Sequence, residues 1–116
     1  MNNFKWQKIA KSETELQSLF TYNQLQLITV FGKKLCLVKT DKGIYAVDDK
    51  CPHNGASLSM GQCNEHNEIV CPMHRYPFNL ETGKASAGMA LTLQTYPIKI
   101  QDDGVFIGMK KSWWEN

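Results

Sequence analysis

Two short segments that each combine cysteine, proline and histidine constrain this sequence more than any other feature. One reads Cys-Pro-His at residues 51–53, and the other reads Cys-Pro-Met-His at residues 71–74. Thiolate and imidazole groups bind zinc and iron strongly, and a pair two or three positions apart in a turn can converge on one ion. Neither pair has the i, i+4 spacing of a helix face, so both are expected on loops. The fold must therefore bring two loops together at a metal centre.

The ligand types alone leave two kinds of metal centre open. Two cysteines and two histidines suit tetrahedral zinc, and their number does not exclude it. Zinc sites, however, typically take two cysteines from one knuckle and two histidines from another, whereas each loop here supplies one of each. Loops that lie side by side can instead give both cysteines to one metal and both histidines to a second. A [2Fe-2S] unit in which two histidines replace two cysteines on one iron has this requirement.

In these segments and their surroundings the sequence resembles the Rieske ferredoxin family. The resemblance rests on the segment 51–58, seventeen residues between His53 and Cys71, the segment 71–74, Phe78, and Thr-Gly-Lys at 82–84. The paired motif with its spacing is a strong signal, whereas either half alone is weak.

The resemblance implies a Rieske-type [2Fe-2S] cluster, one per chain, as the cofactor. Carried over by position, it makes Cys51 and Cys71 ligands of the inner iron. His53 and His74 become ligands of the outer, solvent-facing iron. No catalytic residue is implied.

The remaining sequence predicts an all-β fold, a small antiparallel β barrel or sandwich with a two-loop cluster-binding subdomain. Segments rich in β-branched and aromatic residues predict strands at 25–31, 34–40 and 44–49, separated by turn residues. Alternating apolar residues around Asp103-Gly104 predict a closing hairpin. Ser12 and Glu15 form a capping-box pattern that predicts one short helix.

No repeat or linker divides the chain, so a single domain is expected over residues 1–116. Regular periodicity fails between about residues 49 and 88, a stretch too long for a plain connection. This stretch is assigned to the cluster-binding subdomain, with a C-terminal tail at 110–116.

Composition bears on partners and location. The net charge of +2 gives no argument for nucleic acid, and no apolar run approaches the ~20 residues that span a membrane. The N-terminal segment shows neither an apolar h-region nor a twin arginine, so a cytoplasmic location is expected. The four cysteines are then expected to be reduced thiols or metal ligands.

Departures from the family pattern narrow the function. High-potential Rieske proteins carry two further cysteines that link the loops, and Ala56 and Met73 occupy those positions here. Those proteins also place hydroxyl groups near the cluster, whereas Tyr76 and Phe78 stand at the equivalent positions, so at least the tyrosine hydroxyl is missing. A midpoint potential in the lower part of the Rieske range is therefore expected. Arg75 stands where many relatives have glycine, so this turn is expected to be strained if it needs a positive φ.

Other residues receive simpler interpretations. Cys36 is expected to be a buried hydrophobic residue, Cys63 a spare thiol and His66 a solvated side chain. For Trp113 and Trp114, packing against the barrel or fraying of the tail is expected rather than recognition of a partner. A final set of apolar residues is expected at exposed loop tips, as a docking rim or as a cover for the cluster: Leu58, Met60 and the segment 73–77.

The predicted function is that of a soluble, monomeric carrier of single electrons, and not an enzyme on its own. Its expected transient partners are a flavin-dependent reductase and a terminal oxygenase. Two alternatives stay open. One is a small Rieske subunit of a nitrite reductase-type complex, and the other is a zinc-binding structural module.

Overall fold

The strands of this protein form three antiparallel sheets. The computed structural model describes residues 3–20, 24–86, 88 and 90–113, with the backbone alone at residue 113. The strands are β1 (Phe4–Ala10), β2 (Leu25–Val30), β3 (Lys33–Thr40), β4 (Gly43–Asp48), β5 (Gln62–Cys63), β6 (Glu68–Val70), β7 (Pro77–Asn79), β8 (Thr95–Tyr96), β9 (Ile98–Gln101) and β10 (Gly104–Lys110). The sheet orders are β1-β10-β9, β2-β3-β4-β8 and β5-β6-β7. The predicted all-β fold is confirmed.

The central strand of the molecule is β3. Four consecutive residues, 35–38, are buried, so both of its faces are covered. Because side chains alternate along a strand, Cys36 and Val38 point into one core, while Leu35 and Leu37 point into another. The first core lies on the side of the Cys/His loops, and the second packs against β10. This arrangement is a sandwich in which β3 separates the two cores.

The predicted meander and hairpin both form. Strands β2 and β3 pair from Leu25↔Val38 to Val30↔Lys33, and β3 then pairs with β4. The hairpin pairs β9 with β10 around the turn before Gly104. Strand β1, which has no counterpart among the predicted strands, pairs along the other edge of β10.

The predicted helix is α1, Glu13–Ser18. Its N-cap Ser12 accepts a hydrogen bond from the Glu15 N–H at 3.1 Å, as a capping box requires. The Glu15 carboxylate accepts from the Lys11 N–H at 3.0 Å, one residue before the N-cap. Leu16 is fully buried and attaches this short helix to the second core. Within the described residues, none of the helices has the length and apolar character that crossing a lipid bilayer requires.

The third sheet positions the two Cys/His loops. One loop runs from the end of β4 into a 3-10 turn, Leu58–Met60, which leads to β5. The other loop connects β6 to β7. The small β5-β6-β7 sheet therefore holds the second loop beside the first.

Candidate metal centre

The two Cys/His loops share one hydrogen-bond pattern. In each loop the cysteine N–H donates to the carbonyl five residues later, which is Ala56 at 2.8 Å in one and Tyr76 at 3.0 Å in the other. Each cysteine carbonyl also accepts from the N–H four residues later, at 2.8 Å and 3.0 Å. The pattern of burial along the eight residues is the same in both loops. The segments 51–58 and 71–78 are therefore two copies of one turn structure that face each other.

The histidines occupy different places in these matched turns. His53 is the third residue of its loop, and His74 is the fourth. Both rings are exposed, their centroids lie 5.8 Å apart, and their planes are nearly perpendicular. The Tyr76 ring packs edge-on against the His53 ring, with 4.7 Å between their centroids, and its centroid lies 5.9 Å from that of the His74 ring. The unequal spacings in the sequence thus bring one imidazole from each loop to a common position at the surface.

The two cysteines lie beneath the rings. Cys51 and Cys71 are both at most 1% exposed, and they share the first core. Burial raises the pKa of the Cys51 thiol, and the neighbouring Cys71 adds to that rise. Burial also tends to raise the pKa of Cys71, but its hydrogen bonds with backbone N–H groups, Cys51 and Asn54 outweigh burial and hold this pKa below its usual value. The two thiols thus lie side by side, and the thiolate is the form in which a cysteine binds metal.

Asn54 connects the two loops, which the sequence did not indicate. Its Oδ1 accepts from the Ala56 N–H at 2.9 Å, which is an Asx turn within the first loop. The same oxygen accepts from the Cys71 Sγ at 3.7 Å, and Nδ2 lies 3.4 Å from Nδ1 of His74. One side chain thus contacts the second loop at both its cysteine and its histidine.

A buried carboxylate fixes the base of the first loop. Asp49 is 6% exposed, and its two oxygens accept from the Ser57 hydroxyl at 2.6 Å and the Ser59 N–H at 2.9 Å. Its carbonyl also accepts from the Leu58 N–H at 2.6 Å. The hydrogen bonds of Asp49 reveal this role, which the sequence does not. Nothing in the sequence distinguishes Asp49 from Asp48 as the buried member of the pair.

The matched turns both require a positive φ at their fifth residue. Gly55 has φ +80° and Arg75 has φ +58°. The left-handed region costs a residue with a Cβ roughly 1–2 kcal/mol. The strain expected at Arg75 is therefore present, and the first loop avoids it by using glycine.

Exchanging the residue types at these two positions tests that strain. Arg75→Gly is expected to raise the free energy of unfolding by about 0.5–1 kcal/mol. Gly55→Ala is expected to lower it by about 1–2 kcal/mol. Urea unfolding of the cluster-loaded protein, followed by visible absorbance and far-ultraviolet circular dichroism, measures both. A less stable Arg75→Gly variant would show that contacts of the arginine side chain outweigh the backbone strain.

The structure places the other singled-out residues as follows. Cys36 is fully buried, as predicted, and burial raises its pKa to about 12. Cys63 is partly buried at the edge of the first core, and His66 is exposed. The side chains of Trp113 and Trp114 lie outside the described part of the chain.

The expected set of exposed apolar residues is wrong in one member. Leu58 is fully buried in the first core, because the 3-10 turn that it begins directs its side chain inward. Met60 and Met73 are 77% and 62% exposed and stay in the set. The segment 74–77 is exposed at its first two residues and half-buried at Tyr76 and Pro77.

The arrangement of the four candidate ligands defines the class of protein. Among the described residues, no group of three or more His, Cys, Asp or Glu side chains converges as a single metal ion needs. The donors instead separate into a buried pair of thiols and an exposed pair of imidazoles. Soft thiolates and imidazoles held as two pairs suit a binuclear iron–sulfur centre, so this arrangement indicates a small iron–sulfur protein.

The chain belongs to the Rieske [2Fe-2S] domain family. A model of that domain matches residues 5–97. The ferredoxin component of a naphthalene 1,2-dioxygenase system from Pseudomonas putida is 41% identical over 83 residues, which cover 71% of this chain and 79% of the relative. Such relatives are electron carriers rather than catalysts, and this chain is likewise an electron-transfer component and not an enzyme on its own.

Solved structures support the fold. The complex of reduced oxygenase and oxidized ferredoxin in carbazole 1,9a-dioxygenase matches with a TM-score of 0.69 and 22% identity, over 87% of this chain and 99% of the matched one. A putative NADH-dependent nitrite reductase small subunit from Mycobacterium tuberculosis matches with a TM-score of 0.77 and 16% identity, over 93% and 97%. At these identities the likeness concerns the fold alone.

The cofactor of this family is a Rieske-type [2Fe-2S] cluster, and the donor set fits it. The requirement is two cysteine sulfurs on one side and two histidine nitrogens on the other. The buried thiols and the exposed rings supply these two sides in the same relative order, from the protein interior to solvent.

Proposed function

We propose that Cys51 and Cys71 bind one iron of the cluster and that His53 and His74 bind the other. The contact between the two buried thiols and the approach of the two rings to 5.8 Å support this assignment. The other two cysteines lie outside the two loops, Cys36 on β3 and Cys63 on β5.

The chain then carries single electrons from a flavin-dependent reductase to a terminal oxygenase. The observation that carries this proposal is the pair of exposed histidine rings directly above the buried thiols, since it gives a partner a short route to the cluster. The 41% identity to a dioxygenase ferredoxin component supports the oxygenase as acceptor. We further propose that the chain acts as a monomeric single domain in the cytoplasm, with residues 49–88 as the cluster-binding subdomain.

The protein shields the cysteine side of the cluster from water and leaves the histidine side accessible to a partner. The cluster supplies a one-electron couple when bound. Leu58 and Phe78 are fully buried beside the thiols and exclude water from that side. Tyr76 packs against both imidazoles and restricts their motion. Rigid surroundings of this kind keep the geometry constant between oxidation states, which favours fast electron exchange.

The first experiment is spectroscopic. Protein purified without oxygen is expected to be red-brown, with about two irons and two sulfides per chain. Reduction by dithionite is expected to give an EPR signal of low average g, which marks mixed cysteine and histidine ligation. A colourless protein with one zinc would overturn both the ligand assignment and the carrier function.

The midpoint potential is expected to lie below about +100 mV, within a Rieske range of about −150 to +300 mV. Hydrogen bonds to the cluster sulfurs raise this potential, because they stabilise the more negative reduced state. Phe78 offers no hydroxyl, and the Ser57 hydroxyl donates to Asp49 at 2.6 Å. Redox titration followed by circular dichroism in the visible range measures the value. A midpoint above about +100 mV would contradict this account of the loop residues.

The nitrite reductase alternative predicts a different partner. Its support is the structural match with a TM-score of 0.77, which at 16% identity concerns the fold. Affinity purification of the tagged protein separates the two possibilities. Recovery of a sirohaem-containing partner would replace the oxygenase proposal, whereas a non-haem iron oxygenase would support it.

A further inference from the structure

The surface around the two histidine rings has a distinctive charge. Segments 50–60 and 70–78, which form the two loops, contain no acidic residue, and their charged residues are Lys50 and Arg75. Both of these are exposed, as are His53 and His74. Each loop thus carries one cation next to its metal-binding residues, and neither carries an anion to balance it.

A groove beside the first loop extends this positive surface. It is lined by Lys33, Lys34, Asp48, Asp49, Lys50, Gly55 and Ser57. The Lys50 side chain lies along the loop, with its Cε 3.4 Å from the place that a Cβ on Gly55 would occupy. Lys34 stands at the start of β3, directly behind the loop, since its carbonyl accepts from the Asp49 N–H at 3.2 Å.

The two carboxylates of the groove are already engaged. Asp48 lies 3.7 Å from the Lys33 ammonium and accepts from the Tyr96 hydroxyl at 2.5 Å. Asp49 is buried and bonded within the first loop. Within the part of the chain that the structure describes, no ion pair forms at Lys34 or Lys50. Three lysines and two aspartates leave the groove with a small positive formal charge, and among these described residues Lys34 and Lys50 are the lysines without an ion-pair partner.

We propose that Lys34, Lys50 and Arg75, here called the cationic rim, dock an acidic face of the redox partner protein. This inference rests on the proposed carrier function and adds the chemistry of the partner surface. The exposed Met60 and Met73 lie on the same two loops and supply apolar contact. The partner surface that fits is an apolar patch surrounded by carboxylates. Attraction of this kind speeds diffusional encounter and weakens as salt screens it.

Two haem proteins of opposite surface charge test the rim. The reduced, cluster-loaded protein is mixed in a stopped-flow instrument with cytochrome b5, which is acidic around its haem edge, or with cytochrome c, which is basic there. The second-order rate to cytochrome b5 is expected to fall by about ten-fold as salt rises from ~0.01 to ~0.3 M. The rate to cytochrome c is expected to stay constant or rise. Comparing salt dependences removes the difference in driving force between the acceptors.

Single neutralisations locate the effect. Lys34→Gln and Lys50→Gln are each expected to lower the low-salt rate to cytochrome b5 by about two- to five-fold, with the midpoint potential unchanged. The matched control is Lys42→Gln, an exposed lysine in the turn at the far end of β3 and β4, which is expected to leave the rate unchanged.

The possible outcomes separate the two proposals. A cluster that is reduced but passes electrons to neither haem protein would overturn the carrier function. Transfer to both acceptors with the same salt dependence would overturn the acidic docking face alone. Equal effects of Lys50→Gln and Lys42→Gln would also overturn it, because the rate would then follow overall charge rather than the rim.

Discussion

Cys71→Ala is expected to abolish cluster binding. The variant should contain only background iron and sulfide, whereas the native protein should contain about two of each per chain. Cys71 is fully buried next to Cys51, and together they are the two proposed sulfur ligands. Alanine removes one of the two sulfurs, and the other two cysteines, Cys36 and Cys63, lie on strands outside the loops. Iron and sulfide analysis with the visible spectrum measures the loss.

Cys63→Ala is the matched control, because this cysteine belongs to the same small sheet and borders the same core. Its partly buried side chain lies on β5, outside the two loops. The variant is expected to keep the full iron and sulfide content and an unchanged spectrum. Loss of the cluster in Cys63→Ala, or its retention in Cys71→Ala, would assign the ligands differently.

The placement of the four candidate ligands on two adjacent loops was easier to predict from the sequence than their surroundings, for a physical reason. Ligand chemistry is local, so cysteine and histidine two or three positions apart carry most of the information about each loop. The strands of the meander and the final hairpin were also predictable, because alternating apolar residues and short turns are local patterns. The matched hydrogen bonds of the two loops were not predicted. Their acceptors are the backbone carbonyls of Ala56 and Tyr76, and the side chains of these two residues differ, so the sequence does not reveal the match.

Strand β1 shows how a local pattern can be hidden. Its apolar residues alternate at Phe4 and Trp6, but then occur together at Ile9 and Ala10. The pairing with β10 shifts register between Lys8 and Ala10, so a bulge changes which side chains face the core. A regular period of two therefore does not fit the segment, although it forms seven residues of strand.

Leu58 and Asp49 show a different limit. Whether a loop residue is exposed depends on how the loop folds back on distant elements, and the 3-10 turn places Leu58 in the core against expectation. Asp49 is buried because two groups of the same loop donate to it. Both outcomes depend on tertiary contacts, which composition and periodicity do not encode.

Gly83 holds the segment that follows the second loop against the core. Its N–H donates to the Asn79 carbonyl at 2.7 Å, and its own carbonyl accepts from the Leu93 N–H at 2.7 Å. Leu93 is 1% exposed and belongs to the core that contains both candidate cysteine ligands. Its φ of +79° is one that glycine adopts readily. The close approach to Leu93 adds a second reason for glycine.

Gly83→Ala is expected to lower the free energy of unfolding by about 2–4 kcal/mol, and to reduce cluster retention with it. A Cβ at this position would lie 1.9 Å from the Leu93 carbonyl oxygen, so the backbone of one segment has to move. The control is Gly32→Ala, which has nearly the same φ, +77°, but no atom within 4 Å of the added Cβ. In that variant the free energy of unfolding is expected to fall by the backbone strain alone, about 1–2 kcal/mol. Urea unfolding of both cluster-loaded variants gives the difference, which is the cost of the steric contact. Equal losses would show that Leu93 yields without cost, and that the contact with Gly83 does not hold this segment in place.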